Sequence, residues 1–527
     1  MRTTVAVIGL SFLVVSGGFA GGAPETDSPV AREFIIGNGT APQSLDPHHI
    51  STPAEHRIVM GLFEGLVAPD PETARATPGV AERWEISDDG LEYTFHLRDD
   101  AVWSDGTPIT AHDFVESWMR VLNPRTAAPS AWFAAQFIAG AQAFYRGEVG
   151  ADAVAIRAVD DRTFQFETVR PTPYVLDTLS HYAFQVVPLH AIEEYGDQWT
   201  MPENFVGNGP YTVTAWDPRG RVVLEPNDTY WNAPSVQLDR VVFSPVENHV
   251  AAFDRYTDGA IHWLPTVPGG RISEAEGRAD YHVSPDMGTS YYVLNSEREP
   301  LNDPAVRTAL GAAIDRQLMV ETVNGVGEIP AYSLVPPMPG YPGIEGLHHD
   351  RAAAQELLAS AGYPGGEGFP ELTVLHNASD EHRSLAEFIQ HQWRTNLGIT
   401  VRLESRPWES FVSRTRRGEF DVARAGWIGT YQDPTAFLDM FIAGGDLNYG
   451  RFSDERYTRR IAEAREMMSG EARFAALQQA EHILVEEQTA VIPLYHYTNR
   501  NMIDVTEWGG WFANGMGWHP VGAIFAY

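Results

Sequence analysis

Leu372-Thr373-Val374-Leu375, a stretch of helical period from Ser384 to Leu397, and Ile399-Thr400-Val401-Arg402-Leu403 read in order as strand, helix, strand. Two short aliphatic runs flank a segment whose apolar residues recur every three to four positions. A helical crossover of that length lets the two strands lie parallel, so the chain is α/β and holds at least one partly parallel, mixed sheet. Outward from this unit, Phe420–Trp427 reads as a buried strand, and Glu455–Met468 and Glu471–Glu487 as amphipathic helices. Ile492-Pro493-Leu494-Tyr495 reads as a short strand whose proline suits an edge or an end. On the N-terminal side, Asp350–Ala361 is a helix closed by Gly362, and Asp303–Asp315 a second one. Further back lie strands at Tyr211–Trp216, Arg221–Glu225 and Val241–Phe243. Glu92–Arg98 alternates strictly, as a half-buried strand does, and Thr110 caps the helix that follows. Thr52-Pro53-Ala54-Glu55 is a capping box with proline at the first helical position.

The N-terminus sets the compartment. Met1-Arg2-Thr3, an apolar run from Val5 to Val15, and small residues ending at Ala20 or Ala23 form a signal-peptide pattern. The run falls short of the ~20 apolar residues a membrane span needs. The sequence has no cysteine, so no lipid anchor can be attached through one, and the expectation is a freely soluble, exported, periplasmic protein. With 527 residues it should divide into two or three domains and act as a monomer. The net charge is −33, and all 37 basic residues are arginine. Such acidity argues against nucleic acid or anionic lipid as a partner.

Catalytic motifs are thin. There is no Gly-x-Ser-x-Gly elbow, phosphate loop or His-Glu-x-x-His helix. Gly37-Asn38-Gly39 and Gly325-Val326-Gly327 read as turns. His48-His49 and His348-His349-Asp350 could suggest metal ligands, but adjacent side chains on an extended segment face opposite ways and do not readily share one ion, so they read as solvated loop residues. No metal, cofactor or enzymatic activity is expected. The 14 tryptophans and 20 tyrosines suit recognition of variable ligands, beside the ordinary role of filling a core.

Four ordered stretches carry a resemblance. They are Ser44–His48 with Gly61–Leu66; Pro78–Trp84 with Tyr93–Arg98, Trp103–Pro108 and Thr110–Phe114; Val306–Leu310 with Ala313–Arg316; and Phe420–Trp427 with Asp433-Pro434-Thr435. In these the chain resembles the oligopeptide-binding proteins of extracellular solute-binding family 5, from about Phe34 to Tyr497. The resemblance implies a two-lobed periplasmic binding protein fold (class II, cluster C type) with an extra inserted domain and a hinge. Carried over, residues 1–23 are the signal peptide, and 24–63, 188–287 and 498–527 form lobe I. Residues 64–187 form the inserted domain II and 288–497 lobe III, with hinge crossings near Met287–Thr289 and Tyr497–Asn499.

The implied function is capture of oligopeptides in a cleft that closes on them, for delivery to an inner-membrane ABC permease with its cytoplasmic ATPase. By resemblance, Gly426 offers main chain to an extended ligand and Arg424 a fork for carboxylate, unless Arg424 pairs with Asp421 or Asp433. Trp427, Trp408, Tyr291 and Tyr497 would form aromatic walls, Trp408 having packing as its alternative. His382 would help receive a peptide's C-terminal carboxylate.

The chain also departs from the family pattern. Thr430 stands where peptide binders place an aspartate for the ligand's α-ammonium, and Ser51 where some place an acidic residue. Gly288 and Ile428 replace two cysteines that can bridge, and Gly288 and Ser130 would enlarge the pocket. Two explanations of Thr430 stay open. Either Asp433 takes over the ammonium, or the ligand is N-blocked, cyclic, murein-derived or an oligosaccharide.

Overall fold

A computed structural model describes residues 32–217, 220–324, 327–468 and 470–527. The signal-peptide pattern and Gly325-Val326 lie outside the described residues.

The strand–helix–strand unit forms as its spacing requires. Leu372–Asn377 and Val401–Arg406 pair in parallel, joined by the helix Asp380–Leu397. Ser379 caps that helix at its start, and Gly398 ends it at φ 74°. Leu385, Ile389, Trp393 and Leu397 recur every four residues on its buried face, and the Trp393 indole donates to the Leu310 carbonyl. Val422–Ile428 joins the same sheet, parallel to Leu372–Asn377 at Val422 and Ala423.

The sheet has eleven strands and is mixed. At its other end Glu33–Gly37 runs parallel to Arg240–Ser244, which pairs antiparallel with Val222–Pro226. Two long strands, Tyr281–Leu294 and Val491–Ile503, join the halves as an antiparallel ribbon. Their register shifts between Pro285 and Thr289 and again between Ser290 and Tyr291. The fold is thus α/β and two-lobed, with the ribbon common to both lobes.

A separate four-stranded antiparallel sheet comprises Ala81–Ile86, Glu92–Leu97, Ile156–Asp160 and Thr163–Glu167. Tyr93, Phe95 and Leu97 alternate inward to a core of their own. There the helix Ala111–Leu122 sets Trp118 edge-on to Phe164, Phe166 and Phe184.

Three sequence expectations need correction. The proline-containing strand is not a short edge but a 13-residue strand inside the sheet; Pro493 lies beside the second register shift, where a ladder tolerates it. The helix from Glu471 gives way at His482 to a π turn over Ile483–Glu487. His48 is not solvated but fully buried, its Nε2 donating to the Gln185 carbonyl and its Nδ1 accepting from Arg120. Burial pushes this imidazole down to about 4, so it stays neutral. Arg120 also holds Asp46 in a bidentate pair at 2.6 and 3.2 Å, tying the Ser44–His48 stretch to the Ala111–Leu122 helix.

Candidate functional site

The Val422–Ile428 strand has two unlike edges. One pairs with Gly288–Leu294 along its whole length. The other has a strand neighbour only at Val422 and Ala423, so the main chain from Arg424 to Ile428 is open to a further strand. Tyr497, from the long ribbon, lies over this segment. A Cβ added at Gly426 would come within 2.5 Å of the Tyr497 hydroxyl, and one at Gly288 within 2.5 Å of its ring. A side chain at either place would have to displace the tyrosine.

Arg424 donates to the Tyr497 hydroxyl at 3.4 Å, while its Nε is buried without a partner. Neither suggested carboxylate reaches it. Asp421 is taken by Arg298 at 2.9 Å and by the Thr373 amide at 2.9 Å. Asp433 is taken by Arg473 at 2.6 and 2.8 Å. His382, in the first turn of Asp380–Leu397, has a buried Nδ1 without a partner. Burial, and then the nearby Arg424 charge, push it down to about 4. Arg424 is therefore the cation of this group, with a donor to spare, beside a neutral His382 and a helix start whose Glu381 carboxylate accepts from the Tyr495 hydroxyl.

The remaining expected residues fall elsewhere. Tyr291 is 6% exposed, is cross-strand from Ala425 and packs edge-on to Phe441. Trp427, cross-strand from Thr289, packs against the same core with its indole nitrogen unpartnered. These two rings fill the interior on one face of the ribbon. Trp408 is 60% exposed at the start of the helix Trp408–Arg416, against Phe411 and apart from Tyr291 and Tyr497.

Two expectations fail on geometry. Asp433 cannot swing to a ligand: it is buried, and besides Arg473 it accepts from the Thr435 amide and hydroxyl. Gly288 does not enlarge a pocket, because Tyr497 and its cross-strand partner Ile428 fill the space. Ser130 is buried, with its hydroxyl unpartnered.

Ser51 and Thr430 come together across a cavity of about 230 Å³ between the lobes. Glu55, the carboxylate near Ser51, is spent on the capping box and the amides of Gln43, Ser51 and Thr52. The cavity is also bordered by His56, Arg57 and Asp286, which sequence reasoning missed. Asp286 had no signal beyond its place beside the expected hinge. Among the described residues no group of three His, Asp or Glu side chains is placed to hold a metal ion, and no helix is long and apolar enough to cross a membrane.

Comparison with known proteins gives a consistent result. The family model for bacterial extracellular solute-binding proteins, family 5, matches residues 75–449. The periplasmic oligopeptide-binding protein OppA of Salmonella typhimurium is 36% identical over 484 residues, 90% of this chain and 88% of that one. The unliganded open form of the murein tripeptide-binding protein MppA superposes with a TM-score of 0.85 at 34% identity, covering 94% of this chain and 97% of that one. Haemophilus influenzae OppA in complex with the peptide RPPGFSPFR gives 0.67 at 29% identity, covering 94% and 99%.

Proposed function

The chain belongs to the bacterial extracellular solute-binding proteins of family 5, and we propose that it is the periplasmic, peptide-capturing component of an ABC importer. The reading rests chiefly on one observation: the open strand edge from Arg424 to Ile428 ends beside an arginine without a carboxylate partner. An extended peptide needs main-chain pairing and a cation for its C-terminal carboxylate, and both lie on one segment. In this reading His382 and Tyr497 assist Arg424, Gly426 supplies main chain, and the lobes close about the shifted register of the ribbon. Closure delivers the loaded protein to an inner-membrane permease and its ATPase, without turnover of the ligand.

A second reading, an N-blocked or murein-derived ligand, has its own support. Thr430 carries no charge, and Asp433, three residues on, is committed to Arg473.

Calorimetric titration of the purified protein with tripeptide mixtures tests the main reading. Binding should raise thermal stability, by about 2.7 kcal/mol at a hundredfold excess over Kd. Arg424→Ala should weaken binding about tenfold or more while leaving unliganded stability near wild type. Equal binding by that variant, or hydrolysis of the peptide, would sink the proposal.

A further inference from the structure

A peptide held through its main chain and its carboxylate end still brings a positive amino end, and Thr430 gives that charge nothing to pair with. The cavity between Ser51 and Thr430 contains one carboxylate, Asp286. It lies within the register shift between Pro285 and Thr289, so it has no rung in the ladder between the two long strands. It accepts from the Met287 amide at 2.8 Å, with the Asn499 side chain beside it. Burial raises its pKa, and the Met287 and Asn499 contacts offset part of that rise. Arg57, on the same cavity, donates its Nε to the Asn38 side-chain carbonyl at 3.0 Å and lies 5.9 Å from the Trp263 ring centroid, so its guanidinium is directed at those two groups. His56 is 6% exposed, borders the cavity too, and its Nε2 has no partner. Burial first, and Arg57 second, push it down to about 3, so at neutral pH it adds no positive charge. The neighbouring His181 is likewise driven down by burial.

An unpaired, partly buried carboxylate in a cavity is a site short of a cation. We propose that Asp286 holds the free α-ammonium of the bound peptide, taking the part that the uncharged Thr430 leaves open. The inference rests on the peptide reading above and resolves it toward ligands with an unmodified amino end. It also links recognition to movement: Asp286 lies in the interrupted segment of the ribbon, and its cavity is walled by Ser51–Met60 on one side and Ile428–Thr430 on the other. A cation held there contacts both lobes at their junction.

The test offers wild type and Asp286→Asn an equimolar mixture of two tripeptide libraries, one with free amino ends and one N-acetylated, and measures the captured ratio by mass spectrometry. Wild type should enrich free-amine peptides about tenfold or more, the scale of a desolvated ion pair. Asp286→Asn should capture both libraries about equally, its hold on acetylated peptides marking it as folded. Thr430→Asp in the Asp286→Asn background should restore the preference. If Asp286→Asn keeps the wild-type preference, or wild type shows none, the role of Asp286 is overturned and the peptide reading stands. If wild type captures neither library, both fall.

Discussion

Arg473 and Asp433 show how burial decides what a charged side chain can do. Both are almost fully buried, and they meet in a bidentate pair. The Arg473 guanidinium also lies 5.8 Å from the Tyr174 ring centroid. Such a pair is expensive to break from one side, because the remaining charge has no solvent to turn to. Arg473→Met should therefore cost about 3–5 kcal/mol of stability, measured by urea unfolding. Combining it with Asp433→Asn should recover part of the loss, since no buried charge is then left alone. A single variant within 0.5 kcal/mol of wild type would show that the pair contributes nothing net. Arg424 is the contrasting case: its Nε is buried without a partner, and its hydrogen bond is to the Tyr497 hydroxyl, not to a carboxylate.

At the scale of elements, the Val422–Ile428 strand depends on close approach. Gly426→Ala should push the Tyr497 ring off the open edge and weaken peptide binding about tenfold, with little change in melting temperature. Unchanged binding by isothermal calorimetry would remove that edge from the site. The Glu471–His482 helix carries a pH-dependent element. Glu481 is fully buried, accepts the Val335 amide and the Tyr341 hydroxyl, and burial raises it to about 7. Its unfolded value is near 4.5, so between pH 4.5 and 7 the folded chain keeps a proton the unfolded chain releases. The contribution is complete below 4.5 and lost as pH rises through 7; Glu481→Gln should flatten this part of the stability profile by about 1–3 kcal/mol. The strand–helix–strand unit was legible because local period specifies it, though the helix begins at Asp380, a turn before Ser384, where Ser379 caps it. Pro493 misled because its tolerance depends on a register shift set by the partner strand. His48 misled because its burial depends on Arg120, 72 residues away. Asp286 could not be read as a site at all, since only the meeting of five separate stretches of chain gives it a cavity.

On the scale of the whole molecule, the lobes share one ribbon, and away from it the segment after the Val422–Ile428 strand touches the inserted domain. Tyr431 stacks on Tyr174 at 4.4 Å and 1°, and Gln432 donates to the Thr73 carbonyl at 2.9 Å. Superposition is better with the unliganded open form of MppA, at a TM-score of 0.85, than with the peptide complex of Haemophilus influenzae OppA, at 0.67. Closure must then bring together two acidic bodies, because the charge of −33 is spread over both halves. Their mutual repulsion opposes closing and is screened by salt over a Debye length of about 10 Å at 0.1 M. The ion pairs that would hold a peptide at Arg424 and Asp286 lie inside the closed cleft, where screening acts much less. Affinity for an uncharged-side-chain peptide should therefore rise, not fall, between 10 and 500 mM salt. Small-angle scattering should show the radius of gyration, about 23 Å for a compact chain of this length, shrink by about 1 Å when peptide is added. A falling affinity with salt, or scattering unchanged by saturating peptide, would mean that the halves do not move against each other's charge, and capture would have to proceed in a fixed cleft.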